Sequence, residues 1–258
     1  MIVYRQMLKD YASIAKEVRR KAITMIHKAQ TSHIASNFSL TDFAVVLHEN
    51  LKPEDRVIWS KGWAAATTYI LLARRGCFPE SDLDKFPEKP YLNLVEVGVE
   101  GVETTGGSMG HGFPVALGIA LGQKMAKTPG RVYCIMSDGE LNEGTTWETI
   151  MVAAHHHLDN FTVFVDRNTW QAMGRTEDII RLEPLEDKWK VWGWDVERID
   201  GHDYEAIEKA VHKPTTGPKV IICDTIKGKG VSFMEDSLVF HYKNVDDDVY
   251  AKAMEELK

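Results

Sequence analysis

Apolar residues along this chain fall into short continuous runs and into longer stretches at helical spacing. The continuous runs are rich in β-branched and aromatic residues, and they predict buried strands at residues 57–60, 132–136, 161–165, 196–199 and 220–224. Helical spacing predicts helices at 41–49, 64–74, 115–125, 143–157, 186–192 and 204–211. Because strands and helices alternate, we expect an α/β fold with a mostly parallel sheet and helices on both faces.

Two other segments have a different character. Residues 1–28 place apolar side chains at helical spacing, which predicts an amphipathic helix packed against the body of the protein or a partner. Residues 78–100 contain prolines and acidic residues without periodicity, and they predict a long surface loop of the kind that is often functional. Since no linker, repeat or low-complexity tract divides the chain, a single domain spanning residues 1–258 is expected.

Composition narrows the class of protein. A chain of 258 residues with 44% hydrophobic content can bury a sizeable core. Its net charge of -7, with lysines and arginines scattered, argues against nucleic-acid binding. The three cysteines are widely spaced, which suits reduced thiols, and no apolar run is long enough to cross a bilayer. We therefore expect a cytoplasmic protein.

Two neighbouring strands of the predicted sheet end in polar residues. The strand at 132–136 is followed by Asp138 and Gly139, and the strand at 161–165 is followed by Asn168. A helix predicted between these strands makes them parallel, so Asp138 and Asn168 meet at the edge where open α/β sheets bind ligands. Carboxylate and amide oxygens suit Mg²⁺ shared with phosphate groups, while Gly139 lets a phosphate approach the backbone. The chemistry indicated is metal-assisted binding of a diphosphate.

The same residues have two simpler interpretations. Asp and Asn are common wherever a strand exits into a turn, which would explain the isolated pair. Asp138, Glu140 and Asn142 also alternate as in an EF-hand, but Gly144 falls one position late and a strand precedes the segment instead of a helix. The spacing and the glycine favour the ligand site.

The motif Ser137-Asp138-Gly139 with Asn168 downstream resembles the Gly-Asp-Gly to Asn signature of thiamine-diphosphate enzymes. From about Lys21 to the carboxyl end, the chain is similar to the amino-terminal part of transketolase. Three further segments carry the resemblance in the same order: DRVIWSKG at 55–62, GVETTGGSMGHG at 101–112 and TIKGKG at 225–230.

The resemblance implies thiamine diphosphate and Mg²⁺ as cofactors, and it implies roles for residues in three groups. The expected metal ligands are Asp138, Asn168 and Trp170. The expected cofactor-binding residues are Trp63, Gly107, Ser108, Met109, Asp138, Gly139, Glu140 and Asn168. The expected catalytic residues are His33, Glu143 and His241.

Some of these residues also have simpler explanations. The segment around Gly107 could be a plain helix-entry turn, and Glu143 could act only through the dipole at the start of its helix. The family places an acidic residue there that joins the two active sites of a dimer, which is compatible with that dipole role.

Three positions depart from the family pattern. Trp63 stands where the family has a histidine, Tyr242 stands where a glycine usually follows the histidine matched by His241, and the region near Asn93 lacks an expected Gly-His-Pro segment. Because a site built to hydrogen-bond a hydroxyl discriminates strongly, we expect the range of accepted ketoses and aldehydes to differ.

The resemblance also implies an activity and a partner. Full-length family members carry a pyrimidine-binding domain and a third, smaller domain, which we expect on a separate chain in a two-plus-two assembly. The expected reaction transfers a two-carbon ketol unit from a ketose to an aldehyde. Two alternatives stay open: the alpha subunit of a two-component 2-oxo acid dehydrogenase or acyl-transferring enzyme, and a catalytically silent cofactor-binding subunit.

Overall fold

The computed structural model describes residues 10–88 and 94–258, and it has a parallel sheet at its centre. The strands are β1 (Arg56–Trp59), β2 (Val132–Ser137), β3 (Phe161–Arg167), β4 (Trp170–Gln171), β5 (Gly174–Arg175), β6 (Asp195–Asp200) and β7 (Lys219–Asp224). Five of them form the sheet in the order β1-β2-β3-β7-β6, all parallel, and β4 pairs with β5 as an antiparallel hairpin. The predicted α/β class with a mostly parallel sheet is confirmed.

Ten α-helices in the described residues accompany the sheet. They are α1 (Tyr11–Ala29), α2 (Ile34–Glu49), α3 (Ala65–Arg74), α4 (Gly112–Ala126), α5 (Gly144–His155), α6 (Thr176–Ile179), α7 (Leu185–Val191), α8 (Tyr204–His212), α9 (Val239–Tyr242) and α10 (Asp247–Glu256). Aspartates Asp10, Asp203 and Asp246 start α1, α8 and α10, because each carboxylate accepts a hydrogen bond from a free N–H of the first turn. The amino-terminal helix predicted for residues 1–28 is seen from Tyr11, and residues 1–9 lie outside the described part.

Strand residues alternate between two apolar layers, as the pleat requires. In β2, Tyr133 and Ile135 face a core formed with α1, α2, α3, α8 and α10, whereas Cys134 and Met136 face a second core beneath α4, α5 and α7. Helices therefore cover both faces of the sheet, and its carboxyl edge stays accessible to a ligand.

Helix α2 begins seven residues earlier than the predicted start at residue 41. The residues from Ile34 to His48 are buried, including the polar Ser36, Asn37 and Ser39. Those polar side chains interrupt the apolar pattern, but Asn37 and Ser39 have partners inside the protein: Asn37 Nδ2 donates to His33 O at 3.0 Å, and Ser39 Oγ donates to Asp166. The sequence pattern alone therefore misplaced the start of this helix.

The long loop predicted for residues 78–100 is partly helical. A 3-10 helix spans Glu80–Glu88, and within it Leu83 and Phe86 are buried, with the Phe86 ring stacked on Tyr69 at 4.6 Å between centroids. Residues 89–93, and with them Asn93, lie outside the described part of the chain. Within the described ranges, no helix has both the length and the apolar character needed to cross a membrane.

Helix α4 exposes apolar residues on the side that faces away from the core. Val115 and Met125 are exposed, as are Met151 and Val152 on α5, which packs beside α4. Gly118 and Gly122 lie one turn apart on α4 with open space around the position of an added Cβ.

His48 makes the stability of this fold sensitive to acid. It is buried beside Trp59, neither ring nitrogen has a hydrogen-bond partner among the described residues, and burial followed by the charge of Arg75 lowers its pKa to about 3. Since the folded pKa is below the ordinary value, the unfolded chain binds the proton first, so stability present above pH 6.5 is lost as the pH falls towards 3. Through His48, the wild-type protein should lose about 2 kcal/mol of unfolding free energy between pH 6.5 and pH 5. We expect His48→Leu to lack this loss, as measured by urea denaturation. The exposed His155→Gln variant is the control, and an equal acid loss in His48→Leu and wild type would contradict the assignment.

Candidate functional site

A cavity of about 480 Å³ opens at the carboxyl edge of the sheet. Residues that follow four of the strands line it: Lys61 after β1, Gly139 after β2, Asn168 after β3 and Lys227 after β7. Most of the residues predicted from the sequence line the same cavity. They are His33, Trp63, Gly107, Ser108, Met109, Gly139, Glu143, Asn168, Trp170 and His241.

Strand pairing brings Asp138 and Asn168, two of the three predicted metal ligands, side by side. β2 and β3 run in register up to Ser137 and Asp166, and the Asp138 N–H donates to Asp166 O at 3.2 Å. The Thr169 N–H, next to Asn168, donates to Asp138 Oδ2 at 2.9 Å. The loops after the two strands are therefore bonded to each other where the sequence predicted that they meet.

Asp138 lies behind the cavity wall and is completely buried. Its Oδ2 accepts hydrogen bonds from Arg167 Nη1 at 2.8 Å, Thr169 N and Thr176 Oγ1, whereas among the described residues Oδ1 accepts only from the Gly139 N–H at 2.8 Å. Burial raises the pKa of the Asp138 carboxyl above its ordinary value, although the Arg167 guanidinium opposes the shift. Oδ1 retains a lone pair that a cation would use.

Asn168 is oriented by Asp166. Asn168 Nδ2 donates to Asp166 Oδ2 at 3.0 Å, and Asn168 Oδ1 accepts from the Trp170 N–H at 3.1 Å. Because an amide oxygen has two lone pairs, Oδ1 can also bind a cation. In residues 10–88 and 94–258 no three His, Cys, Asp or Glu side chains cluster to hold a metal. The donors present, one carboxylate and one amide oxygen, fit Mg²⁺ that completes its shell with phosphate and water.

Two buried lysines in the cavity wall are functional candidates that the sequence analysis did not assign. Lys61 Nζ donates to Ser36 O at 2.9 Å and pairs with the buried Asp166 carboxylate. Lys227 Nζ donates to His241 Nδ1 at 3.0 Å, and burial together with the charge of Lys61 lowers the pKa of Lys227 to about 7. A bound anion such as a diphosphate would favour the protonated form of Lys227, so the two lysines together suit an anionic ligand. Their signal was their place after predicted strands, since Lys61 directly follows the strand at 57–60 and Lys227 comes three residues after the strand at 220–224.

Asp166 connects these groups. It is fully buried and accepts hydrogen bonds from Ser39 Oγ at 2.6 Å, Asn168 Nδ2, Thr225 Oγ1 and Lys61 Nζ. Burial alone would raise the pKa of its carboxyl, but the Lys61 ammonium and these hydrogen bonds lower it. Asp166 is thus a buried anion that holds Lys61 and Asn168 in place.

The predicted catalytic histidines form an aromatic cluster with two residues that depart from the family pattern. His33 stacks on Trp63 at 4.7 Å between centroids, and His241 and Tyr242 approach its edge at 5.3 and 5.5 Å. Burial, followed by nearby lysine charges, lowers the pKa of His33 to about 4 and that of His241 to about 3. Both imidazoles are therefore neutral at physiological pH.

The glycine-rich segment at residues 106–112 packs tightly against Gly62, next to Lys61 in the cavity wall. A Cβ on Gly106 would lie 2.4 Å from Gly62 Cα, so the two backbones touch only because neither residue has a side chain. Gly107 has a φ of 109°, in the region that favours glycine. This close packing exposes Gly107, Ser108 and Met109 to the cavity.

Glu140 lies behind the glycine-rich segment instead of lining the cavity. Its Oε1 accepts hydrogen bonds from Ser60 Oγ and from the Gly110 N–H at 3.0 Å, while Oε2 is buried without a partner in the described segments. Burial raises the pKa of Glu140 to about 7. It supports this segment from behind, and the cofactor contact predicted for it stays a prediction.

Glu143 lines the cavity at the N-cap position of α5. Its side chain makes no capping hydrogen bond to this helix, all of which lies in the described residues. Of the predicted capping role, its position therefore supports only the favourable interaction with the helix dipole.

Comparison with known proteins gives one family. The thiamine diphosphate-binding domain of transketolase matches residues 11–257. The chain is 35% identical to the 6-deoxy-6-sulfo-D-fructose transketolase subunit of a Clostridium species, over 96% of each chain. It is 33% identical to an apulose-4-phosphate transketolase subunit of Actinobacillus succinogenes, over 95% of this chain and 94% of that one.

A solved transketolase structure also resembles this chain over nearly its whole length. The crystal structure of transketolase from Campylobacter jejuni superposes with a TM-score of 0.89 at 29% identity. The match covers 97% of this chain and 43% of that one. The chain thus spans less than half of that transketolase and nearly all of the two subunits named above.

Proposed function

The chain belongs to the transketolase family, and we propose that it is the diphosphate-binding subunit of a two-component transketolase that transfers a two-carbon ketol unit from a ketose to an aldehyde. The observation that carries the proposal is the match over 96% of a relative that is itself named a transketolase subunit. In this proposal the chain is one domain, and the pyrimidine-binding domain lies on a partner chain.

The cavity accounts for the binding part of this function. Thiamine diphosphate supplies the electron sink for breaking the carbon–carbon bond next to a carbonyl. Asp138 Oδ1, Asn168 Oδ1 and the backbone of Trp170 would hold Mg²⁺, the metal that hard oxygen donors prefer when phosphates complete the shell. Lys61 and Lys227 line the cavity and would supply positive charge to a bound diphosphate, which in turn would favour the protonated form of Lys227.

The aromatic cluster supplies groups for the sugar. Neutral His33 and His241 can each donate and accept hydrogen bonds, which suits hydroxyl and carbonyl groups of a ketose. Trp63 replaces an imidazole of the family with a large indole stacked on His33, so one polar contact to the substrate is exchanged for an apolar wall. Relatives named for 6-deoxy-6-sulfo-D-fructose and apulose 4-phosphate support an anionic donor other than the common pentose phosphates.

The assembly we propose is two copies of this chain with two copies of its partner. Helices α4 and α5 expose a shared apolar face, with Val115, Met125, Met151 and Val152 accessible. Glu143, at the start of α5, lines the cavity, so a second copy packed on this face would lie close to the site. The free thiols of Cys77, Cys134 and Cys223 support a reducing, cytoplasmic location.

The test compares two substrate pairs on this chain purified together with its partner. We expect transfer of a two-carbon unit from a ketose phosphate to an aldose, dependent on thiamine diphosphate and Mg²⁺. A product formed only from a 2-oxo acid and a lipoyl or carrier-protein acceptor would overturn the proposal in favour of the dehydrogenase alternative. If the two cofactors raise the melting temperature of the complex but neither substrate pair gives a product, the second alternative holds, a catalytically silent cofactor-binding subunit.

A further inference from the structure

The hairpin formed by β4 and β5 crosses one wall of the cavity. Trp170, Gln171, Ala172 and Met173 line the cavity, and none of residues 170–175 is buried. A segment without buried side chains is not held by the apolar cores, so its position depends on polar contacts at its two sides. We call residues 170–175 the strap.

One side of the strap is attached to the loop after β2. Gln171 Nε2 donates to Asn142 Oδ1 at 2.6 Å, and the Gln171 side chain packs against Gly139, where an added Cβ would lie 3.1 Å from Gln171 Cγ. The strap therefore rests on Gly139, the residue at which the sequence predicts that a phosphate approaches the backbone.

The other side is attached to the segment after β7 through Asp236. Asp236 Oδ1 accepts from Trp170 Nε1 at 2.7 Å and Arg175 Nη1 at 2.8 Å, and Oδ2 accepts from Arg175 Nη2 at 2.6 Å. The Asp236 N–H donates to Lys227 O at 2.8 Å. Asp236 thus joins the strap to the backbone of Lys227, which also lines the cavity.

Arg175 extends the connection towards the metal ligands. Its guanidinium lies 3.9 Å from the centroid of the Trp170 ring, and its Nη1 donates to Thr169 Oγ1 at 2.8 Å. The Thr169 N–H in turn bonds Asp138 Oδ2. Contacts run without a break from Lys227 through Asp236 and Arg175 to Asp138.

We propose that Asp236 is a positioning residue, which holds the strap closed over the diphosphate end of the cavity and so determines how tightly the cofactor is retained. The proposal rests on the proposed function and adds a residue outside the lining of the cavity. An ordinary surface ion pair would be the simpler explanation, since the Asp236 and Arg175 side chains are 56% and 39% exposed. Such a pair contributes little to stability, but here it is the attachment of a cavity wall.

The variants are chosen to leave the fold intact. Asp236 has a φ of 54°, which asparagine tolerates as well as aspartate does, so Asp236→Asn removes the charge without straining the backbone. Arg175→Met removes the other partner. The matched control is Asp159→Asn, because Asp159 pairs with Lys124 at 2.8 Å with nearly the same exposures, 54% and 38%, away from the cavity.

Hydrogen exchange of the full chain without cofactor gives the first measurement. We expect amide exchange across residues 170–175 to accelerate about tenfold in Asp236→Asn and Arg175→Met, and to stay unchanged in Asp159→Asn. Unchanged exchange of the strap in both variants would overturn the proposal.

The second measurement is the dissociation constant for thiamine diphosphate in the presence of Mg²⁺, determined on the complex with the partner chain. We expect about a fivefold increase in Asp236→Asn with a melting temperature equal to that of the control. An opened strap with an unchanged dissociation constant would show that Asp236 is only structural. If the wild-type complex binds no thiamine diphosphate, the proposed function fails, while the exchange result still decides whether Asp236 holds the strap.

Discussion

Replacing Asp138 with alanine is expected to abolish magnesium-dependent binding of thiamine diphosphate. The carboxylate is the one anionic metal donor among the predicted ligands, and its Oδ1 accepts a hydrogen bond from the Gly139 N–H alone among the described residues. Loss of an outer-shell partner already weakens metal binding by about 10–100-fold, so loss of the ligand itself should exceed about 100-fold. Titration calorimetry of the complex with thiamine diphosphate, with and without Mg²⁺, measures the effect.

The ion pairs of Arg167 make this variant interpretable. Without Asp138, Arg167 keeps Glu177 at 2.6 Å and Glu183 at 3.4 Å, so its charge is not left unpaired. Glu183→Gln is the control, since it removes a partner of Arg167 without touching the cavity. Retained magnesium dependence in Asp138→Ala, at an affinity within a few-fold of that of Glu183→Gln, would rule out Asp138 as the metal ligand.

Asp166→Ala is expected to lower the free energy of unfolding by about 3–5 kcal/mol, because it leaves the buried Lys61 ammonium without its counter-charge. The side chains of Lys61 and Asp166 are 3% and 0% exposed, so water cannot replace the lost partner. Urea denaturation of the cofactor-free chain measures the loss.

The double variant Asp166→Ala with Lys61→Met separates the charge effect from lost packing. Since it removes both members of the pair, we expect it to be more stable than Asp166→Ala alone. A loss below about 1 kcal/mol in the single variant, the range of exposed ion pairs, would show that the buried charge is compensated in another way.

The sheet was predictable because its central strands are buried on both faces. β2 was predicted at 132–136 and spans Val132–Ser137, because a short continuous apolar run that contains β-branched and aromatic residues and lies between two turn signals favours a buried strand over a helix. The parallel order that places Asp138 beside Asn168 followed from the helix between the two strands.

Other features depend on contacts that sequence spacing does not encode. The start of α2 was misplaced because Ser36 and Ser39 are polar residues on a buried helix face, and the partner of Ser39 comes from a distant strand. The 3-10 helix at Glu80–Glu88 has no clear periodicity, yet Phe86 is fixed by stacking on Tyr69. Lys61 and Lys227 are separated by most of the chain, and only the folded sheet places their charges in one cavity.

Gly118 and Gly122 weaken the very helix that contains them. An interior glycine lowers helix stability by about 1 kcal/mol relative to alanine, and at these positions a methyl group would meet open space. For a lone chain, alanine would be the better residue at both sites. If a second copy packs on this face, as proposed above, two missing side chains would let its backbone lie close to α4, and contacts within the assembly would offset the cost to the helix.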